Sequence, residues 1–169
     1  MGVVWWPEAE EAPAVRVAVY RPDDKSLQGV WTSPSHQGLL GDETVSLSND
    51  ASNWGGSHRV KGQHKQELLR YKGSLTLKPG SGENQSYEAS LQYKDGDTVV
   101  RLEGVGIKVG GELILALGPE GKEFGVGYYD YDPEQIRLEG AKATPTLRRL
   151  STEKYCLPED HPRNKMKQK

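Results

Sequence analysis

A chain that performs acid–base, nucleophilic or metal chemistry must bring particular side chains together, and this one offers few of them. Its histidines are His36, His58, His64 and His161, and its one cysteine is Cys156. Structural zinc draws on sets of such ligands at short paired spacings, and no set of that kind occurs here. His58 and His64 could meet in space over a metal or a haem; the plainer reading makes them surface histidines. Asp130, Asp132 and Glu134 surround a turn, where Asp is favoured because its carboxylate accepts hydrogen bonds from nearby amides, and the same oxygens could hold calcium. Ser57 precedes His58, but strand neighbours point to opposite faces, so the pair is not a nucleophile with its base. Gly104-x-Gly106 places its third glycine at Gly110, one position late for a dinucleotide fingerprint, and Gly118-Pro119-Glu120-Gly121-Lys122 lacks the spacing of a phosphate loop. Catalytic residues, a metal site and a cofactor are therefore not assigned. The reading leans away from an enzyme, with a paired-carboxylate hydrolase left open because carboxylate separations are invisible in a sequence.

What remains is an aromatic set: Tyr71, Tyr87, Tyr93, Tyr128, Tyr129 and Tyr131, with Phe124. Tyrosine combines apolar area with one hydroxyl that seeks a partner, which suits a ligand-lined interior or a mixed core. If the interior is open, Tyr71, Tyr87, Leu91, Leu102, Leu115 and Tyr129 are the expected ligand-binding residues. A filled core is the competing expectation.

Those side chains must be carried by strands. Val15, Val17 and Val19 alternate with Arg16, Ala18 and Tyr20, a period of two that marks a half-buried strand. Leu27–Thr32 makes a second. Residues 33–70 are the hardest to read: Thr44–Leu47 and His58–Gly62 are expected strands, and Gln63–Arg70 fits either two helical turns or a strand extension. From Tyr71 the pattern sharpens, with Tyr71, Gly73, Leu75 and Leu77 on one face, then Tyr87, Ala89, Leu91 and Tyr93. Asp95-Gly96 gives a hairpin signal of type I′, and Gly110-Gly111 a second. Strands continue through Thr98–Leu102, Gly104–Val109, Glu112–Leu117, Glu123–Tyr131, Ile136–Gly140 and Thr146–Leu150, spaced as in a sandwich or barrel meander. The expected architecture is all-β: an antiparallel up-and-down barrel of about eight or more strands over residues 15–150. An irregular arm precedes it over 1–14 and a flexible tail follows over 151–169.

The 169 residues fit one domain, and the 20 glycines suit turns and bent strands while disfavouring helices. A net charge of −2 supplies no field to gather nucleic acid or an anionic membrane, so neither is expected as a partner. A lone cysteine excludes an internal disulfide scaffold. The N-terminus lacks the basic and apolar regions of a signal peptide, Gly2 lacks the Ser or Thr of a myristoylation motif, and no run is long enough for a spanning helix. A cytoplasmic location is expected.

Gln28-Gly29-Val30-Trp31 near the start, the meander that follows, and the Arg148-Arg149 pair in the expected last strand resemble the calycin superfamily of lipocalins and their relatives. The stretch Tyr71–Gly140 is also similar to uncharacterised bacterial lipocalin-like domains, from which it departs in the polar insertion before Tyr71. The resemblance implies that Trp31 closes one end of a barrel against Arg148 or Arg149, a cation–π contact. It further implies a small hydrophobic ligand held without catalysis. The alternative is a non-enzymatic interaction or structural β-domain that binds a protein partner, or its own copy, through its outer wall or its Trp5-Trp6 arm.

Overall fold

The computed structural model describes residues 2–5, 15–36, 39–48, 54–64, 70–80, 86–122, 124–132, 137–144 and 151–156. Twelve strands occur among them: β1 (Gly2–Trp5), β2 (Arg16–Asp23), β3 (Ser26–Thr32), β4 (Gly41–Ser46), β5 (Gly56–His64), β6 (Arg70–Pro79), β7 (Ser86–Asp95), β8 (Thr98–Val109), β9 (Glu112–Gly118), β10 (Gly125–Asp132), β11 (Arg137–Ala143) and β12 (Ser151–Cys156). The one helical element among the described residues is a 3-10 turn at Pro34–His36. Strands β2 to β9 form a closed barrel, each paired antiparallel with the next and β9 returning to β2. Closure leaves that sheet without edges.

The later strands do not complete the barrel. β10 and β11 pair with β1 and β12 in a second sheet of order β1-β10-β11-β12. Phe124, Val126 and Ala143 of this part pack with Val105, Ile107, Ile114 and Ala116 of the barrel's outer wall. β9 is consequently buried on both faces, which is why Leu113–Leu117 reads as an unbroken apolar run. Gly2–Trp5, expected as irregular, pairs antiparallel with β10, and Ser151–Cys156, expected as tail, pairs with β11. Both segments are too short for a visible period and are held by the partner's backbone. The expected strand Thr146–Leu150 lies outside the described residues.

Inside the barrel, Ala18, Tyr20, Leu27, Trp31, Val45, Val60, Tyr71, Leu75, Leu77, Tyr87, Leu91, Leu113, Leu115 and Leu117 form one packed cluster, with Leu102 and Tyr93 partly buried against it. In β2 the inward face carries Arg16, Ala18 and Tyr20, all buried. The valines alternate outward, and Val15 and Val19 join the second cluster. Several rings find room because the directly opposed residue is glycine. Tyr20 lies over Gly29, Trp31 over Gly41 and Tyr71 over Gly62, each position so close that a Cβ would overlap the ring.

The insertion before Tyr71 supplies β4 and β5 and so brings the barrel to eight strands. At the expected hairpins, Gly110 and Gly111 both have positive φ, as a type I′ turn needs. The other turn is shifted by one residue. Asp95 pairs with Thr98, so the loop residues are Gly96 and Asp97, and only Gly96 has positive φ.

Candidate functional site

Two adjoining features carry the polar residues of the barrel, and both lie at the end where β3, β5 and β7 finish and β4, β6 and β8 begin. The first is internal. Arg16 on β2 reaches Glu43 on β4 in an ion pair with both side chains almost fully buried. The Tyr20 hydroxyl donates to Glu43 Oε1, and the Tyr71 hydroxyl donates to Glu43 Oε2 at 2.6 Å. Arg16 Nη2 also donates to the Tyr71 oxygen at 2.8 Å. A buried charge survives only when paired and hydrogen-bonded, and Glu43 has three donors. The Arg16 guanidinium lies 4.0 Å from the centroid of the Trp31 ring.

The electrostatics follow from that packing. Burial pushes the Tyr20 and Tyr71 hydroxyls up, and the neighbouring Glu43 charge pushes the same way while Arg16 pulls back. Burial works against the Arg16 charge, but Glu43, with smaller contributions from Tyr20 and Tyr71, outweighs it and holds the guanidinium firmly protonated. Arg16 Nε and Nη1 and Trp31 Nε1 are buried without a hydrogen-bond acceptor among the described residues. The network is buried and has no exposed nucleophile, so its work is to fix the barrel interior.

Above it, His36 from the loop before β4 and His64 at the end of β5 stack with ring centroids 4.3 Å apart, each edge-on to Trp31. His58, at the other end of β5, is buried. Its Nδ1 accepts from the Ser48 amide at 3.2 Å, which leaves Nε2 to donate to the Trp54 carbonyl at 2.8 Å. Six residues of extended strand separate His58 from His64 by about 20 Å, so the two do not share a ligand. Histidine and carboxylate groups of three or more fit to hold a metal are absent among the described residues. Asp130 accepts from the Tyr128 hydroxyl at 2.6 Å, and Glu134 lies outside the described residues.

The second feature is external. On the far side of the same strands a groove of about 700 Å³ is lined by Asp42, Thr44, Lys61, Gln63, Arg70, Lys72 and Lys94, with Glu43, Gly62, Tyr71 and Gly96 as its floor and margin. Lys61, Lys72 and Lys94 face one another in register across β5, β6 and β7. Arg59 and Arg101 occupy the adjoining outward rows, so six cations share this wall. At the other end of the wall the charge is mixed, with Glu88, Glu103 and Lys78 lining a smaller cleft of about 190 Å³.

Of the expected ligand-binding residues, Tyr71, Tyr87, Leu91, Leu102 and Leu115 all meet inside the barrel. Tyr129 does not join them. It sits on β10 in the second sheet, against Gly127 and Gly140, because the chain leaves the barrel after β9. Arg148 and Arg149 lie outside the described residues, and the cation over Trp31 is Arg16, from the first barrel strand. The groove escaped the sequence reading because its cations alternate singly with core residues on three strands. Its one visible signal is that outward positions of β5–β7 are repeatedly Lys or Arg. No family model, no curated protein and no solved structure matches the chain.

Proposed function

We propose that this chain is a non-enzymatic recognition domain that engages an anionic partner through the outer wall of β4–β7. One observation carries the reading: a groove of a size that suits small ligands is lined by Lys61, Arg70, Lys72 and Lys94 against the carboxylates Asp42 and Glu43, the second of which is already paired with Arg16. The barrel interior, where a small hydrophobic ligand was expected, is occupied by packed side chains and by the Arg16–Glu43 pair. That arrangement favours the wall over the interior as the place of binding.

Amide chemical-shift mapping with sodium tripolyphosphate as the probe tests the proposal. Saturable shifts centred on Lys61, Lys72 and Lys94, removed by Lys72→Glu, are the expected result. Shifts scattered over all lysines with no saturation would sink it. A thermal-shift screen with fatty acids separates the interior reading, which requires stabilisation by an apolar ligand and shifts at Leu91 and Leu115.

A further inference from the structure

The apolar surface of the barrel is distributed unevenly, and the unevenness coincides with the charge. Among the described residues four large hydrophobic side chains are exposed, Val30, Leu39, Leu40 and Val99, each with 40% to 48% of its surface accessible. All four lie at the end of the barrel that carries the groove. Leu39 and Leu40 immediately precede β4. Val30 is paired with Asp42 at the groove margin, and Val99 on β8 is the cross-strand partner of Lys94. The cations Lys61, Arg70, Lys72 and Lys94 therefore occupy an arc of wall with exposed apolar residues on both flanks.

Single exposed hydrophobics are ordinary on protein surfaces. Four gathered at one rim, with none at the opposite end among the described residues, are not what a fully solvated barrel requires. Solvated cations at outward strand positions need no explanation either, but Lys61, Lys72 and Lys94 are directly opposed on neighbouring strands, an arrangement that costs stability. A partner that supplies negative charge between the lysines and apolar depth beside them satisfies both features at once.

Resting on the reading of the outer wall as the recognition surface, we infer that this end of the barrel docks on an anionic phospholipid surface. Leu39, Leu40, Val30 and Val99 enter the boundary between headgroups and acyl chains, and Lys61, Arg70, Lys72 and Lys94 meet lipid phosphates. Peripheral attachment of this kind combines buried apolar area with attraction to anionic headgroups, and neither component suffices alone. The net charge of −2 does not oppose it, because a surface potential falls off within a Debye length and only the near face is felt. Asp42, Asp95 and Asp97 stand at the same end and reduce the attraction without reversing it. A soluble polyphosphate would use the lysines and leave the leucines idle.

The test is vesicle cosedimentation of the full chain with phosphatidylcholine alone and with about 30 mol% phosphatidylserine added, where a preference of about tenfold or more for the anionic vesicles is expected. The preference should shrink as salt is raised. Leu39→Ser/Leu40→Ser and Lys72→Glu/Lys94→Glu should each weaken binding by about tenfold, given the contributions of apolar depth and of single cations. All four positions are on the surface, so melting curves no lower than the parent's serve as the folding control. Equal binding to both vesicles, or binding unaffected by the leucine pair, overturns the inference. Saturation by tripolyphosphate without vesicle association overturns the lipid assignment while the groove reading stands, and failure with both probes removes the two together. Salt-dependent dimerisation in place of vesicle binding assigns the surface to a second copy and also overturns it.

Discussion

Tyr71 lies flat across Gly62, its partner on the neighbouring strand, so that a Cβ on Gly62 would stand 2.2 Å from the ring's Cζ and 2.3 Å from its hydroxyl oxygen. The glycine is thus part of the polar core: it lets the ring fold over β5 and deliver its hydroxyl to Glu43. Gly62→Ala is expected to displace the ring and cost about 1–3 kcal/mol through overpacking. Chemical denaturation measures this. Gly96→Ala, which meets nothing within 4 Å but sits at φ +58, should cost less, about 1 kcal/mol of backbone strain. Equal losses at both sites would refute the packing argument.

The Arg16–Glu43 pair has a sharper signature. Glu43→Leu leaves a buried guanidinium without its counter-charge, and removing one partner of such a pair typically costs about 3–5 kcal/mol. Arg16→Met with Glu43→Leu removes both charges and should be less damaging than either single change, although the Tyr20 and Tyr71 hydroxyls then lack an acceptor. Adding Tyr20→Phe and Tyr71→Phe should recover part of the remaining loss. Strict additivity across the double-mutant cycle would show that the pair does not act as a unit.

Much of the barrel is legible in the residues, and the reason is local. The alternation at Tyr71–Leu77 and Tyr87–Tyr93 places these side chains inward as expected, because one face of each strand is wet. The reading falters where both faces are covered. Val15, Val17 and Val19 look like a core face, yet the barrel interior takes Arg16, Ala18 and Tyr20, and Val15 and Val19 pack in the second cluster instead. A buried Arg contradicts hydrophobic patterning, and its partner Glu43 is 27 residues away, so nothing local announces the pair. Tyr129 was misplaced for a related reason: its strand alternates like a barrel strand, and only the β2–β9 closure reveals that the barrel is already complete.

Alkaline pH should strike the polar core first. Tyr20 and Tyr71 have hydroxyl pKa values raised in the fold, chiefly by burial and then by Glu43, whereas in the unfolded chain they ionise near the ordinary value of about 10. Their contribution to stability is therefore fully present below about pH 10 and declines as pH rises beyond it, by about 1.4 kcal/mol per pH unit for each tyrosine. Urea midpoints measured from pH 8 to 11 should be flat in this respect at first and then fall. Tyr20→Phe/Tyr71→Phe should flatten the alkaline limb while lowering the plateau. An unaltered limb in that variant would place the alkaline sensitivity elsewhere.

Stability and binding should part company at Lys72. Its cross-strand neighbours are Lys61 on one side and Lys94 on the other, and no ion pair joins any of the three to another described residue. Lys72→Glu turns two like-charge contacts into two opposite-charge ones, each worth about 0.2–1 kcal/mol before solvent screening reduces it. The variant should therefore melt slightly higher than the parent at low salt, with the gain fading as salt is added. The same change places a carboxylate in the middle of the lysine row and should weaken tripolyphosphate binding. A charge that works against the sheet is what a position used for binding rather than for stability would carry. A variant that loses both stability and binding would mean that Lys72 serves the sheet, and the argument from its unfavourable neighbours would fail.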